Sequence, residues 1–532
     1  MTGICGKILD HKTGMMYIFV FMSIVNLFLS IIAICAIIFT ALIGYKFWQK
    51  KIYIWFVGYM KWLLDYKSRH VQTDKQIHVM FLVVDHFEPG TRGADKKTSD
   101  MRFETWFKKY PELARKHRDS YGKFPQHVFF LPPHYLTHEY MVKLSELAYY
   151  GFGEIEFHLH HEGDSSETLT KKINETLEKY SRYGALITAE KKPRKTYGFV
   201  HGDWALDNSR GGRFCGVNNE LTILKETGCY ADFTMPSLLE SQSKKVNSIY
   251  YAKDDPEKPK SYDEGIDVEV GEKQSGDLML VEGPIGFNLK DWRHKYFPSL
   301  EDSELIKENP PFSKRIDHWI RCSIHVKGKP EWIFVKVHCH GGPEQDHYTL
   351  LGEPTEQMYQ YIESKYNDGK KYILHHVSTR EAYNIIKAAE AGKTGDPDEF
   401  RDYIIPPYAN QVIKTNAQYT LKTWAENEII IEKIEAENLC CFEFRSEVLQ
   451  GLKAEIESLE FKLENEKKRA SLRLSGTGKG EVILCTPYRI KEISNAKIDR
   501  AEAGEKGFVS YLSFEIAGKT HEINAGWGGE EE

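Results

Sequence analysis

From Thr13 to Tyr45 the chain carries no charged residue, and MMYIFVFMSIVNLFLSIIAICAIIFTALIGY is apolar almost throughout. That run exceeds the roughly 20 residues a helix needs to span a bilayer. It also exceeds the ~7–15 apolar residues of a cleaved signal peptide. It therefore predicts a retained single-pass anchor. The next stretch, KFWQKKIYIWFVGYMKWLLDYKSRH, alternates Lys46, Lys50, Lys51, Lys61, Lys67 and Arg69 with aromatic and aliphatic residues. This pattern predicts a helix lying along the headgroups with snorkelling lysines, the alternative being a second buried helix. Residues 1–70 are thus read as anchor and juxtamembrane helix.

Beyond residue 70 the pattern changes to short apolar runs separated by segments with 3.6-residue apolar spacing. Strands are predicted at His78–Val84, His127–Leu131, Glu154–His158, Thr196–Val200, Tyr230–Thr234, Leu278–Glu282, Trp332–Val337 and Tyr372–Val377. Helices are predicted at Arg102–Ser120, Thr137–Tyr150, Ser166–Tyr183, Asn218–Glu226, Glu356–Tyr366 and Thr379–Ala391. The alternation predicts an α/β fold with a parallel sheet and crossover helices, closed or nearly closed into a (β/α) barrel of seven or eight strands over 71–405. The polar insertion Ser241–Ser275 is expected to be a loop over the barrel mouth. Composition shifts near Pro406–Asn410. Residues 406–532 read as a small antiparallel β-rich accessory domain, with YTLKTWAENEIIIEKIEAE, ASLRLSG, GEVILCTPYRI and GFVSYLSFEIAG as strands and Leu452–Lys468 as a charged amphipathic helix.

The net charge of −6 is small for 532 residues, and no soluble segment concentrates Lys and Arg. Nucleic acid is therefore not an expected partner. Aromatics make up 13%, with 30 Tyr and 10 Trp, which suits sugar stacking as well as a large core. Positive charge is heavier after the apolar run than around Lys7 and Lys12. By the positive-inside rule this places the bulk of the chain in the cytoplasm, the periplasmic or extracellular side being the alternative. Cys215, Cys229, Cys322, Cys339, Cys440, Cys441 and Cys485 show no paired spacing, so neither a disulfide framework nor a CxxC zinc site is expected.

Candidate chemistry collects in four phrases at the ends of strand-like runs: FLVVDHFEP, EIEFHLHHEGD, YGFVHGDWALDNS and WIFVKVHCHGG. Barrel and open α/β enzymes mount their sites at the carboxyl ends of parallel strands. His158 and His160 share one face of a strand, and clustered imidazoles with acids are costly to bury without a cation, so they predict a metal site. His338 and His340 likewise share a face, with Cys339 turned away into packing. His201 is expected in the site. Asp203 and Asn208 suit sugar hydroxyls or turns, and Trp204 offers a stacking face. His375, His376 and Arg380 read as a helix cap with solvated neighbours. No G-x-S-x-G elbow and no phosphate-binding G-x-x-x-x-G-K-[ST] loop is present.

In order and content these phrases resemble the polysaccharide deacetylase superfamily (carbohydrate esterase family four) over roughly Gln76–Asn384. The resemblance implies a distorted (β/α) barrel and a divalent metal, zinc foremost with cobalt or nickel as alternatives. It implies Asp85 as catalytic base and His86 in the place of the family's metal-binding Asp. His158 falls on the first ligand His, Glu162 takes the second His position, and His160 and His340 are further ligand candidates. Val200 stands where the family has an Arg, with Arg210 and Arg213 near enough to substitute. His338 takes the acid role. The implied activity is deacetylation of an N-acetylated sugar in a glycan or lipid-linked precursor at the membrane, with other polysaccharide-biosynthesis proteins as possible partners. Two other readings stand beside it. One is a different barrel metallohydrolase, or a glycosidase using Asp85, Glu88, Glu162 or Asp203. The other is a catalytically inactive carbohydrate-binding scaffold, which the altered motifs favour.

Overall fold

The computed structural model describes residues 2–69, 75–190, 192–291 and 299–410. In the C-terminal part it describes 413–416, 419–422, 430–431, 441–445, 454–464, 469–486, 489–504, 507–517 and 520–527. The chain opens with helix α1 (Thr2–Gln49), whose stretch Phe21–Gln49 has mean hydropathy 2.8 and is long and apolar enough to cross a membrane. Its most apolar window is not buried against the rest of the chain, whereas Phe47 near its end packs against the core. Helix α2 (Ile52–Arg69) follows after Lys51, which turns the chain with φ 54°. Its Ile52, Trp55, Tyr59 and Trp62 are buried at helical spacing. The Trp55 and Tyr59 rings lie 5.7 and 5.5 Å from that of Phe287. Tyr53, Val57, Met60 and Leu64 are exposed on the remaining surface. The buried stripe matches the alternative of a buried second helix, and the apolar residues on the other flank are exposed.

The strands and helices then alternate as β1 (Ile77–His86), α3 (Lys96–Ala114), β2 (His127–Leu131), α4 (His138–Tyr149), β3 (Gly153–Leu159), α5 (Ser166–Ser181), β4 (Tyr197–His201), α6 (Glu220–Glu226), β5 (Cys229–Asp232), β6 (Leu278–Val281), α7 (Ser313–Cys322), β7 (Trp332–Cys339), α8 (Glu353–Tyr366), β8 (Tyr372–His376) and α9 (Thr379–Glu390). Local signals set several starts. Asp95 caps α3, and Ser165 and Ser378 form capping boxes at α5 and α9.

The eight labelled strands are parallel to their labelled neighbours in an eleven-stranded sheet. β1 is central. One edge pairs with β7 from His78↔Trp332 to Asp85↔Cys339. The other edge pairs first with β8 (Ile77↔Tyr372 to Phe81↔His376) and then with β2 (Val83↔His127 to His86↔Phe130). Among the described residues no ladder joins β6 to β7. Lys336 spans that seam instead, buried, its Nζ donating to the carbonyls of Phe233 and Met235 just past β5.

Strand alternation gives the sheet two apolar faces. Val79, Phe81 and Val83 of β1 lie in one core with Phe103, Trp106, Leu144 and Ile173 from the helices. Met80, Leu82 and Val84 lie in the other with Trp55, Tyr59, Ile249 and Ile385. The helix-side core also takes Phe157 of β3, Phe199 of β4, and Val335 and Val337 of β7.

Three expectations need correction. Ser241–Ser275 is not a loop over a mouth. Its strand Ile249–Ala252 extends the sheet antiparallel to β6, because IYYA is apolar enough to be buried on both faces, and Gly265–Asp267 pairs antiparallel with that strand in turn. His375, His376 and Arg380 are buried and not solvated, although Ser378 does cap α9. In the C-terminal part, Ala454–Glu464 is a strand and not a helix, pairing antiparallel with Arg469–Gly478. A register shift between Ile456 and Ser458 puts Leu459, Phe461 and Leu463 back into two-residue alternation, which a helical reading of the charged residues overlooks. Among the described residues the C-terminal part forms an eight-stranded antiparallel sheet and a separate hairpin of Ile413–Asn416 with Tyr419–Lys422. Residues 423–429 and 432–437 of the first strand-like run there lie outside the described residues.

Candidate metal centre

The carboxyl ends of β1, β3, β4 and β7 bring their polar residues to one rim. Parity along each strand decides on which face a residue emerges. His86 continues the Met80–Leu82–Val84 face. Its ring centroid lies 5.1 Å from that of His158, 4.7 Å from His340, 5.5 Å from Trp204 and 6.3 Å from His338. Burial, with the imidazoles around it, lowers the His86 pKa, so this ring is neutral.

The convergent point is a three-residue group: Glu88, His158 and His160. Glu88 Oε1 lies 2.8 Å from His158 Nε2 and 2.7 Å from His160 Nε2, and the two Nε2 atoms are 3.1 Å apart. His158 Nδ1 meets the Val200 carbonyl at 2.8 Å. A carbonyl only accepts, so Nδ1 carries the proton, and in a neutral ring Nε2 presents a lone pair. His160 Nδ1 meets Asp203 Oδ2 at 3.1 Å, the same arrangement with a carboxylate partner. Two nitrogen lone pairs and a carboxylate oxygen aimed at one point are mutually repulsive unless a cation lies among them. Without a metal that cation is a proton. Burial opposes charge on His160, but Asp203 and Glu88 prevail and push its pKa up to about 9. Imidazole nitrogens oriented by outer carbonyl and carboxylate partners are the usual support for a divalent metal, so these residues fit one. His160 is half-exposed, leaving an open side.

The surroundings are built for this approach. Gly202 is required, because a Cβ there would lie 2.5 Å from the His160 ring. Asp203 and Trp204 hold left-handed backbone at φ 54° and 52°, a costly state for Trp in particular. Arg210 donates to the Asp203 carbonyl at 3.1 Å. Trp204 packs against His340 at 5.2 Å, with no hydrogen-bond partner for its Nε1. His340 Nδ1 lies 3.5 Å from Glu304. His338 is buried, its Nδ1 unpartnered, and burial lowers its pKa to about 3. A cavity of about 470 Å³ opens here, lined by Trp204, His338, Asp302 and Glu304 and by Gln49 and Lys50 at the end of α1. Burial, then the neighbouring Glu304 and Glu301, raise the Asp302 carboxyl.

The other sequence candidates lie elsewhere. Asp85 emerges on the helix-side face, where Oδ1 accepts the Gly341 amide at 2.6 Å and Oδ2 meets His127 Nε2 at 2.9 Å. His201 shares that parity and joins His161, Cys215 and Glu220 in a second, fully buried group. Glu162 is exposed and accepts the Phe214 amide at 3.4 Å. Asn208 folds its own loop, accepting from Gly212 and Gly216 and donating to Asn218. Arg213 is exposed beside Glu240. Of these two groups the sequence reading did not assign Glu88, Cys215 and Glu220 to a metal, and it counted His161 only within the cluster of His158, His160 and Glu162, from which the structure separates it. Glu88 was legible by parity, two positions past His86. Glu220 carries no local signal, as a helix-opening acid is ordinary capping chemistry. No protein-family model matches the chain and no curated protein matches it, so the site has to speak for the function.

Proposed function

We propose that the chain is a metal-dependent hydrolase of the polysaccharide deacetylase type, with its sheet forming a distorted (β/α) barrel. In this reading it removes acetyl groups from an N-acetylated sugar carried on a membrane lipid. The observation that carries the reading is the convergence of Glu88, His158 and His160 with one open side, next to a cavity that α1 helps to line. A divalent metal held there, zinc foremost, supplies Lewis acidity toward an acetyl carbonyl and toward water. Trp204 offers its ring to the sugar. Asp302, a cavity-lining residue with a raised carboxyl, would take a proton from water and return it to the departing nitrogen, and His338, neutral and with an unpartnered Nδ1, would offer a hydrogen bond in the same cavity. The amide C–N bond breaks, and acetate and a free amino sugar leave. Gln49 and Lys50 place the cavity beside the end of the apolar helix, which supports a lipid-borne substrate over a free one.

The position of Asp85 favours a second reading, the inactive carbohydrate-binding scaffold, since its carboxylate is satisfied by Gly341 and His127 away from the rim. Acetate release separates the two. Full-length protein, reconstituted with zinc or cobalt in vesicles containing a lipid-linked N-acetylated sugar, should release acetate, and Glu88→Gln or His158→Ala should abolish this. Metal-loaded protein that binds the glycolipid but releases neither acetate nor sugar would overturn the hydrolase. Release of a sugar fragment without metal would favour a glycosidase.

A further inference from the structure

We propose that His161, His201, Cys215 and Glu220 hold a second ion, a structural zinc that staples the loop bearing Asp203 and Trp204. His201 Nδ1 donates to the Gly202 carbonyl at 2.6 Å, which fixes its proton there and leaves the Nε2 lone pair facing inward. That Nε2 lies 3.0 Å from His161 Nε2 and 3.3 Å from Glu220 Oε1. His161 Nε2 is itself 3.0 Å from Glu220 Oε1, while its Nδ1 is held by Asp164 at 3.1 Å. Cys215 Sγ closes the fourth side, 3.5 Å from Glu220 Oε2. Ligand atoms at ~2.0–2.1 Å from a tetrahedral zinc stand about 3.3 Å apart, close to these separations.

Charge and access give the same answer. All four side chains are fully buried. One thiolate and one carboxylate with two neutral imidazoles carry two negative charges, which a divalent ion cancels, so the interior stays neutral. The outer carboxylate Asp164 is balanced separately by Lys172 at 2.7 Å. Four protein ligands with no open side define a structural site, in contrast with the three-ligand, half-open group on the other face. The ligands come from the ends of β3 and β4, the loop after β4 and the first residue of α6. The ion would therefore pin the segment 202–219, and with it Asp203, the partner of His160. This inference does not depend on the hydrolase reading.

The test uses full-length protein purified in detergent, with bound metal measured by mass spectrometry in wild type, Cys215→Ser and His158→Ala/His160→Ala. The expected result is two zinc ions per chain in wild type. One should remain in His158→Ala/His160→Ala, and the chelator-resistant one should be lost in Cys215→Ser. Cobalt-loaded wild type should show thiolate-to-cobalt absorption that Cys215→Ser lacks. Should Cys215→Ser fail to fold, wild type alone decides: a mercurial thiol reagent should release one zinc as Cys215 is modified. One zinc in wild type that survives His158→Ala/His160→Ala would uphold this site and sink the hydrolase. Metal that disappears entirely from His158→Ala/His160→Ala, or modification of Cys215 without zinc release, would overturn the proposal.

Discussion

At the scale of single residues, a one-position step along a strand separates two chemistries. His86 and His158 emerge on the rim face with His160. Asp85 and His201 emerge on the helix side, where one is satisfied by His127 and the other joins a closed cluster. The same period fixes Cys339 away from His338, and Cys339 is buried in the helix-side core. Parity also leaves a penalty at His376, at the end of β8. Its ring is fully buried, neither nitrogen has a hydrogen-bond partner, and burial followed by Arg401 and His117 lowers its pKa to about 3. In the unfolded chain it titrates near 6.5. Between those values the unfolded state binds more protons, so this contribution is fully present above about pH 6.5 and is lost as pH falls toward 3, at up to roughly 1.4 kcal/mol per pH unit. His376→Phe should flatten the decline in urea-unfolding stability between about pH 7 and pH 5. A slope equal to that of wild type would remove His376 as its source.

At the scale of elements, α2 is the joint between the apolar helix and the sheet. Its buried stripe reaches the core through Trp55, which is fully enclosed, while Leu64 on the other flank is 79% exposed. Trp55→Ala should cost about 3–5 kcal/mol in unfolding free energy. Leu64→Ser should leave stability within ~0.5 kcal/mol. Equal stability losses for the two variants would contradict a two-faced helix. The element also explains why periodicity gave an ambiguous answer here. An aromatic-rich amphipathic helix looks the same in sequence whether its apolar residues meet lipid or protein, and this one buries one flank against protein and leaves apolar residues exposed on the other. In the sheet the reverse holds: β2 was readable to the residue, since HVFFL is apolar on both faces and sharply bounded.

At the scale of the whole molecule, the cavity, the end of α1 and the lysines that follow lie together. Lys46, Lys50 and Lys51 sit at the exit of a helix long and apolar enough to span a membrane, with the sheet on their side. Positive charge at that exit predicts that the sheet lies inside the cell. Protease added to intact cells should then leave residues 75–527 uncut, and disruption of the membrane should expose them. Cleavage in intact cells would place the sheet on the opposite side.

The sequence by itself determined the local features: an apolar anchor-like helix, eight strands within a residue or two of their ends, and four polar phrases at those ends. These follow from short-range physics, the two- and 3.6-residue periods and the capping residues, which need no knowledge of distant chain. Tertiary structure alone decided which phrases share a site. Glu88 and His160 are 72 positions apart, and Cys215 and Glu220 meet His161 across more than fifty positions. Such contacts depend on the order of strands and on the face each side chain takes. Parity along β1 was readable, but the pairing of β1 with β7, β8 and β2 was not, because strand pairing is set by the packing of the whole sheet.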